Sequence, residues 1–174
     1  MDAIKNSIRT VPHWPIEGVM FRDITTLMKD PEAFKATCDQ FYERYKDMAI
    51  DKVVGIDARG FVFGAVLAYR LNVGFVPIRK KGKLPPRTIS QDYSLEYGTA
   101  SVEISEKAID SGERVLIVDD LIATGGTISA AIKLVERLGG QVIECAFIVE
   151  LPDLNGRKLI EDYKIYTMVS FEGE

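Results

Sequence analysis

The chain has 174 residues, of which 47% are hydrophobic and 28% charged, and its formal net charge at pH 7 is −4. This length predicts a single domain over residues 1–174, and an apolar content this high excludes a disordered tail protein. The longest nearly apolar stretch, Phe61 to Tyr69, is half of the ~18 residues that a membrane span needs, and the acidic balance disfavours a general nucleic-acid binder. We therefore expect neither a membrane nor a nucleic acid as partner.

The cysteines and the single histidine argue against two classes of catalyst. Cys38 falls on an apolar helical stripe, Cys145 falls inside an apolar run, and His13 lies between two prolines. Three such residues are too few for a zinc site, which takes about four nitrogen or sulfur ligands. A Ser-His-Asp or Cys-His catalyst would have to use His13 as its base, and the position of His13 between two prolines disfavours that role. Two buried thiols predict a reducing compartment, and the first residues show no secretory leader, so we expect a cytoplasmic protein.

The first fifty residues predict two helices separated by a loop. Asp2 can cap a short helix that runs to Ile8, and prolines and a glycine indicate a loop over residues 10–22. Asp30, followed by a proline and an acid, is typical of a helix start. Apolar residues then recur at helical spacing, which predicts a helix that ends near Met48.

Strands and helices alternate in the middle of the chain. The pattern predicts a strand over Lys52–Ile56, a helix over Gly60–Leu71 and a strand over Val73–Ile78. Arg79–Asp92 is rich in structure breakers and predicts an irregular segment. Tyr93–Ile104 predicts a strand or a hairpin with a glycine at its turn.

The alternation continues to the end of the chain. Arg114–Val118 predicts a buried strand, and Thr127–Leu138 predicts an amphipathic helix that two glycines terminate. Two further strands are predicted over Gln141–Val149 and Lys164–Val169. Such alternation indicates an α/β fold with a mostly parallel sheet that helices cover on both faces. In such folds ligands bind at the carboxyl ends of the strands.

The most informative segment is VLIVDDLIATGGT at residues 115–127. A buried strand is followed by two acids, a loop of small residues and the start of a helix. The free N–H groups of a helix start and two threonine hydroxyls suit a phosphate group, and glycines let the backbone approach it closely. The segment is neither a Walker A loop nor a dinucleotide fingerprint, because it has neither the Gly-Lys-Ser/Thr end nor the Gly-x-Gly-x-x-Gly spacing.

The adjacent acids Asp119 and Asp120 distinguish this segment from other phosphate loops. Carboxylates beside a phosphate would repel it, unless they accept hydrogen bonds from sugar hydroxyls or help to hold a divalent metal. The pair therefore indicates a phosphorylated sugar with a free vicinal diol. The alternative is an acid pair that merely caps a strand-to-helix turn.

This segment resembles the signature of the type I phosphoribosyltransferases, which bind phosphoribosyl pyrophosphate (PRPP). The resemblance implies a twisted, mostly parallel sheet with helices on both faces, a small hood drawn largely from residues 1–30, and a mobile lid over about residues 79–98. It also implies that Asp119 and Asp120 bind the ribose hydroxyls. The phosphate loop, residues 123–127, would hold the 5′-phosphate through Ala123, Thr124, Gly125, Gly126 and Thr127.

PRPP also carries a pyrophosphate, for which the sequence offers two sources of positive charge. Five cations lie within residues 79–87 with no acid among them: Arg79, Lys80, Lys81, Lys83 and Arg87. This segment is either a solvated basic loop or the lid that closes over the substrate. Arg59, at a predicted strand end, is either a surface arginine or the second source. We expect Arg59, Arg79, Lys80 and Lys83 to bind the pyrophosphate. We expect Mg²⁺ to be bound through PRPP, with Asp119 or Asp120 as an additional ligand and no dedicated protein cage.

Four further segments resemble the adenine-specific branch of this family: residues 18–25, 57–61, 79–85 and 93–98. The 6-oxopurine branch has an acid where this chain has Ala123, so that branch is disfavoured. The resemblance implies transfer of the phosphoribosyl group to N9 of adenine, which yields AMP and pyrophosphate. Glu96 would handle a proton at adenine N7; the alternative for Glu96 is an ordinary exposed acid.

The resemblance also implies an adenine site. Phe21 and Leu121 would sandwich the base, and main-chain groups of Met20 and Arg22 would recognise its amino group. It further implies a homodimer. Two alternatives stay open: a transferase for another base, and a regulator of the same fold that senses PRPP without catalysis.

Overall fold

The computed structural model describes residues 2–94 and 98–173. The helices are α1 (Asp2–Ser7), α2 (Ile24–Lys29), α3 (Pro31–Tyr45), α4 (Arg59–Leu71) and α5 (Gly126–Arg137). The strands are β1 (Arg9–Pro12), β2 (Met20–Asp23), β3 (Lys52–Ile56), β4 (Gly74–Lys80), β5 (Thr88–Ser94), β6 (Thr99–Ser105), β7 (Arg114–Ile122), β8 (Gln141–Glu150) and β9 (Ile165–Ser170). Two short 3₁₀ helices, Pro152–Leu154 and Gly156–Ile160, connect β8 to β9.

The main sheet has the strand order β5-β6-β4-β3-β7-β8-β9 across the described residues. The five strands β4, β3, β7, β8 and β9 run parallel to their neighbours in this order, whereas β6 is antiparallel to both β4 and β5. The fold is therefore α/β with a mostly parallel sheet, as the alternation predicted. The chain leaves β3 through α4 towards β4 and leaves β7 through α5 towards β8. The two connections diverge, so a crevice opens at the carboxyl ends of β3 and β7, where such sheets bind ligands.

Helices cover both faces of the sheet because consecutive strand residues point to opposite sides. On β7, Leu116 packs with Phe41 of α3 and Phe63 of α4 in one core cluster. Its neighbour Ile117 packs with Val135 of α5 in the other. All four are at most 1% exposed, so the central strand is buried on both sides and carries the crevice on a rigid support.

The helix start at Asp30 follows the sequence prediction. Its carboxylate accepts hydrogen bonds from the N–H groups of Glu32 at 3.0 Å and Ala33 at 3.1 Å. The same helix ends at Tyr45, one turn before the predicted end near Met48.

Three sequence predictions of local structure are wrong. Residues 10–22 do not form one loop, because Arg9–Pro12 and Met20–Asp23 pair as an antiparallel hairpin. Arg79–Asp92 is not wholly irregular, since β4 extends to Lys80 and β5 begins at Thr88. β7 does not end before the two acids but runs to Ile122. In each case tertiary strand pairing overrides breakers or charges that the local pattern counts against a strand.

Candidate active site

A cavity with a volume of about 530 Å³ lies at the crevice between β3 and β7, and it is larger than the second cavity described below. Most of its lining comes from four segments: the turn after β3, the end of β4, the end of β7 and the start of α5. Single residues of β5, β6 and β8 complete it. The turn after β3 contains a cis peptide bond between Asp57 and Ala58. The cavity therefore gathers the acids, the phosphate loop and the cations that the sequence singled out.

All five residues of the phosphate loop line this cavity. Gly125 has φ +84°, a left-handed conformation that side chains disfavour, and α5 begins at the next residue. The first N–H groups of a helix have no intrahelical partner, and no described side chain caps them here. This helix start lines the cavity. The loop can therefore bind an anion through its backbone.

A second segment supports the phosphate loop from behind. A Cβ built on Gly156 would lie 2.2 Å from the carbonyl oxygen of Ala123 and 3.0 Å from the nitrogen of Gly125. A Cβ on Gly125 would lie 2.5 Å from the carbonyl oxygen of Gly156. The two backbones are thus in direct contact, and this contact restricts where the loop can lie.

Asp119 and Asp120 lie at the end of β7 and face the cavity. The N–H of Asp120 donates to the Asp119 carboxylate at 2.8 Å, and the Asp120 carboxylate pairs with Arg59. Desolvation, followed by the nearby Asp120 carboxylate, raises the pKa of Asp119 well above its ordinary value, although Arg59 opposes this shift. The site therefore holds a carboxyl group whose charge is costly until a ligand donates to it.

The raised pKa leads to a prediction about stability. We expect Asp119→Asn to raise the melting temperature of the ligand-free protein at pH 7 by at least about 2 °C, the shift that about 1 kcal/mol causes in a domain of this size. A raised carboxyl pKa lowers stability above that pKa and has no effect below the unfolded pKa of about 3.9. The difference between variant and parent should therefore shrink as the pH falls towards 4. Calorimetry between pH 4 and 8 measures this difference in melting temperature. A lower melting temperature for Asp119→Asn than for the parent at pH 7 would contradict the raised pKa of Asp119.

The cations from the end of β4 lie on the other side of the cavity. Nε of Arg79 lies 3.1 Å from the Asp57 carboxylate, and its Nη1 donates to the carbonyl oxygen of Lys83 at 3.0 Å. Lys80 and Lys83 are exposed and also line the cavity. Together with Arg59 they place four cationic side chains in the cavity wall, which suits a polyanion.

The second cavity has a volume of about 350 Å³ and lies under the β1–β2 hairpin. Phe21 and Trp14 line it, and their rings meet edge to face with centroids 4.4 Å apart. Arg59 lines both cavities. An aromatic wall in a pocket of this size suits a flat heterocycle, and the shared arginine places such a ring next to the anion site.

The side chains of the four residues expected around the base do not share one cavity, and the main-chain roles expected of Met20 and Arg22 stay a prediction. Phe21 lines the second cavity, whereas Leu121 lines the first. Among the described residues that line the two cavities, neither Met20 nor Arg22 occurs. The guanidinium of Arg22 donates to Thr10 Oγ1 at 2.7 Å and lies over the ring of Phe171, because alternate residues of β2 point away from the cavity.

Glu96 lies outside the described residues. Within the described part of the chain, no group of three or more histidine, cysteine, aspartate or glutamate side chains is arranged to hold a metal ion. Burial raises the pKa of the Cys38 thiol to about 11 and that of Cys145 to about 12, so neither supplies a thiolate at neutral pH.

Sequence reasoning missed several residues that line the cavities, three of them with aromatic or charged side chains that could contact a ligand. Trp14 and Arg9 contribute to the second cavity, and Tyr93 contributes to the first. One pattern in the sequence could have predicted the second cavity. Alternate residues of a hairpin share one face, and those that line the cavity are Arg9, Val11, Phe21 and Asp23. Because residues 10–22 were predicted to form a loop, this strand alternation was not recognised.

The comparisons with known proteins agree with this geometry. A family model described as "Phosphoribosyl transferase domain" matches residues 24–173. The chain therefore belongs to the phosphoribosyltransferase family, and its sheet is the type I fold of that family.

Individual relatives narrow the family further. An adenine phosphoribosyltransferase of Desulfosudis oleivorans is 66% identical over 98% of this chain and 99% of its own length. The crystal structure of the enzyme from Thermoanaerobacter pseudethanolicus has a TM-score of 0.94 at 49% identity, covering 98% of this chain and 99% of that one. A Saccharomyces cerevisiae structure complexed with an imino-altritol bisphosphate and adenine has a TM-score of 0.91 at 39% identity, with 97% of each chain covered. Within the family, the chain groups with the adenine phosphoribosyltransferases.

No helix among residues 2–94 and 98–173 combines the length and the apolar character that crossing a membrane requires.

Proposed function

We propose that the protein transfers a phosphoribosyl group from PRPP to N9 of adenine and releases AMP and pyrophosphate, a purine salvage reaction. The observation that carries this proposal is Arg59, which lines both an anion-binding cavity and an aromatic cavity. PRPP in the first and adenine in the second would meet at this residue. The relative from Saccharomyces cerevisiae, solved with a sugar bisphosphate analogue and adenine, supports the same pairing of ligands.

Each part of PRPP has a counterpart in the larger cavity. The phosphate loop would bind the 5′-phosphate through N–H groups at the start of α5 and through threonine hydroxyls. Asp119 and Asp120 would accept hydrogen bonds from the ribose hydroxyls. The pyrophosphate would lie among the cations that face the same cavity: Arg59, Arg79, Lys80 and Lys83. Binding would replace the Arg59–Asp120 ion pair with contacts from both residues to the substrate.

The proposed reaction requires Mg²⁺, which the site can accommodate. Mg²⁺ prefers oxygen ligands and is commonly held by one or two carboxylates together with substrate phosphates. Asp119 or Asp120 supplies such a carboxylate at the cavity wall, and PRPP supplies the remaining oxygens. The ion would neutralise charge that develops on the leaving pyrophosphate.

The bond changes follow from this arrangement. The C1′–O bond to pyrophosphate breaks early, which leaves oxocarbenium character on the ribose, and N9 of adenine bonds to C1′. In the N7–H tautomer of adenine, N9 carries the free electron pair. Glu96 would take the proton from N7 as the new bond forms, so the base stays neutral. The cations around the cavity stabilise the departing pyrophosphate.

We expect Phe21→Ala to raise the KM for adenine by about 5- to 150-fold, because base–aromatic stacking contributes about 1–3 kcal/mol. The KM for PRPP should stay within a factor of three, since Phe21 lines only the second cavity. Phe21→Leu keeps apolar volume without a ring and separates stacking from simple burial. Initial-rate kinetics with each substrate varied in turn measure both constants, and an unchanged KM for adenine in both variants would remove Phe21 from the base site.

The function is tested by incubating the protein with PRPP and Mg²⁺ and, separately, adenine, hypoxanthine, guanine, uracil or orotate. Formation of AMP from adenine alone is the expected result. A nucleotide from another base alone would retain the PRPP site but overturn the base assignment. PRPP binding without any product would favour the regulator, and salt-sensitive nucleic-acid binding would then support that alternative.

We also propose a homodimer in the cytoplasm, with residues 1–30 as hood and residues 79–98 as lid. The surface of α4 supports the dimer, because Tyr69 is 85% exposed and Val62 38% exposed on one apolar stripe that a second copy would cover. Two buried free thiols, Cys38 and Cys145, support a reducing compartment. Light scattering at micromolar concentration tests the dimer, and a monomeric mass would overturn it.

A further inference from the structure

Glu103 on β6 is a buried acid that the proposed reaction does not use. It is only 4% exposed and is absent from the linings of both cavities. It pairs in register with Arg79 of β4 on one side and with Ser90 of β5 on the other. Burial of a charged carboxylate costs free energy unless several donors satisfy it, so its position calls for a reason.

The donors to Glu103 come from the turn that follows β4 and from the first residue of β5. Its Oε1 accepts the N–H of Lys83 at 3.0 Å and the N–H of Leu84 at 2.9 Å, and its Oε2 accepts the hydroxyl of Thr88 at 3.3 Å. Burial raises the pKa of Glu103, but these main-chain donors, with that of Gly82, outweigh burial and lower it. The carboxylate is therefore ionised at neutral pH and makes charge-assisted hydrogen bonds, which are roughly twice as strong as neutral ones.

The anchored turn carries the cations of the larger cavity. Lys83 is itself part of the turn, and its carbonyl oxygen accepts a hydrogen bond from Arg79 at 3.0 Å. Arg79, Lys80 and Lys83 all line the cavity. Within residues 2–94 and 98–173, no hydrogen bond or ion pair joins Glu103 to the charged ends of these three side chains. Glu103 therefore acts on the backbone that places the cations.

We propose that Glu103 is a positioning residue, which holds the turn over residues 81–84 so that Arg79, Lys80 and Lys83 face the pyrophosphate. The inference rests on the proposed function, because it takes this part of the cavity as the pyrophosphate site. Without an acceptor oxygen at this position, the N–H groups of Lys83 and Leu84 lose their partner and the turn is free to rearrange. The affinity for PRPP and for pyrophosphate then falls, whereas the affinity for adenine is unaffected.

Two conservative variants separate position from charge. Glu103→Gln keeps the length and one acceptor oxygen for Lys83 and Leu84, and its amide can donate to the hydroxyl oxygen of Thr88, but it removes the charge. Glu103→Asp keeps the charge but withdraws the carboxylate by one methylene. If position matters, Glu103→Gln raises the KM for PRPP by roughly threefold at most, and Glu103→Asp raises it by about 20-fold or more.

The matched control is a remote buried acid, Glu144. It is 3% exposed and accepts hydrogen bonds from Arg44 and Tyr45, far from the turn over residues 81–84 in the sheet order. Glu144→Asp should lower the melting temperature without changing either KM. This variant shows what loss of a buried acid does through stability alone.

The experiment measures both KM values and the Kd of inorganic pyrophosphate by calorimetry, for the parent and all three variants. The expected result is a higher Kd for pyrophosphate and a KM for PRPP raised by about 20-fold or more in Glu103→Asp, with a change of roughly threefold at most in Glu103→Gln and an unchanged KM for adenine in both. Equal values for Glu103→Asp and the parent would overturn the inference, as would a larger effect in Glu103→Gln than in Glu103→Asp. If the parent itself bound neither PRPP nor pyrophosphate, the proposed function would fail instead.

Discussion

Replacement of Glu96 by glutamine is expected to lower kcat by at least ~100-fold, the usual contribution of a positioned acid or base. The variant should fold normally, because glutamine has nearly the same shape. Its KM for PRPP should stay near that of the parent, since PRPP would contact the acids, the cations and the phosphate loop. The neighbouring described residues support this role: Tyr93 lines the larger cavity, and a Cβ on Gly126 would lie 3.1 Å from the carbonyl oxygen of Ser94.

Steady-state kinetics and a thermal melt of Glu96→Gln check this expectation. The control is Glu106→Gln, which removes the same charge from an exposed acid just after β6. That variant should retain the activity of the parent. Turnover of Glu96→Gln within a factor of three of the parent would exclude the proton role and leave Glu96 as an ordinary surface acid.

The second large effect is expected from Gly156→Ala, which should raise the KM for PRPP by about 100-fold. The new Cβ would lie 2.2 Å from the carbonyl oxygen of Ala123, so the phosphate loop must move by about an ångström. A displacement of about that size can cost ~10²-fold when binding groups must meet a ligand precisely. The KM for adenine should change little, because neither Gly156 nor the phosphate loop lines the second cavity.

Gly140→Ala is the matched control for overpacking. A Cβ there would lie 2.8 Å from side-chain atoms of Ile109 and Val135, away from both cavities. It should lower the melting temperature without changing either KM. If Gly156→Ala were destabilised to the same extent but bound PRPP like the parent, the contact between the two backbones would have no part in binding.

The sequence determined those features of this protein that lie within short stretches of chain. Residues 115–127 form a strand, a loop and a helix start in succession, and hydrophobic periodicity and two glycines define such a unit locally. The phosphate loop, the adjacent acids and the family could therefore be predicted. The mostly parallel sheet followed because strands that alternate with helices have few other arrangements.

Tertiary structure alone decided which distant residues meet. Arg59 lies between two cavities because α4 starts at the crevice beside β7, and no local pattern encodes that position. The hairpin of Arg9–Pro12 with Met20–Asp23 forms despite prolines and a glycine between its strands, since cross-strand pairing outweighs local preference. Glu103 and Gly156 act on turns that are 20 and about 30 residues away, respectively. Their hydrogen bond and backbone contact exist only once the sheet has assembled, and this is why sequence periodicity could not reveal them.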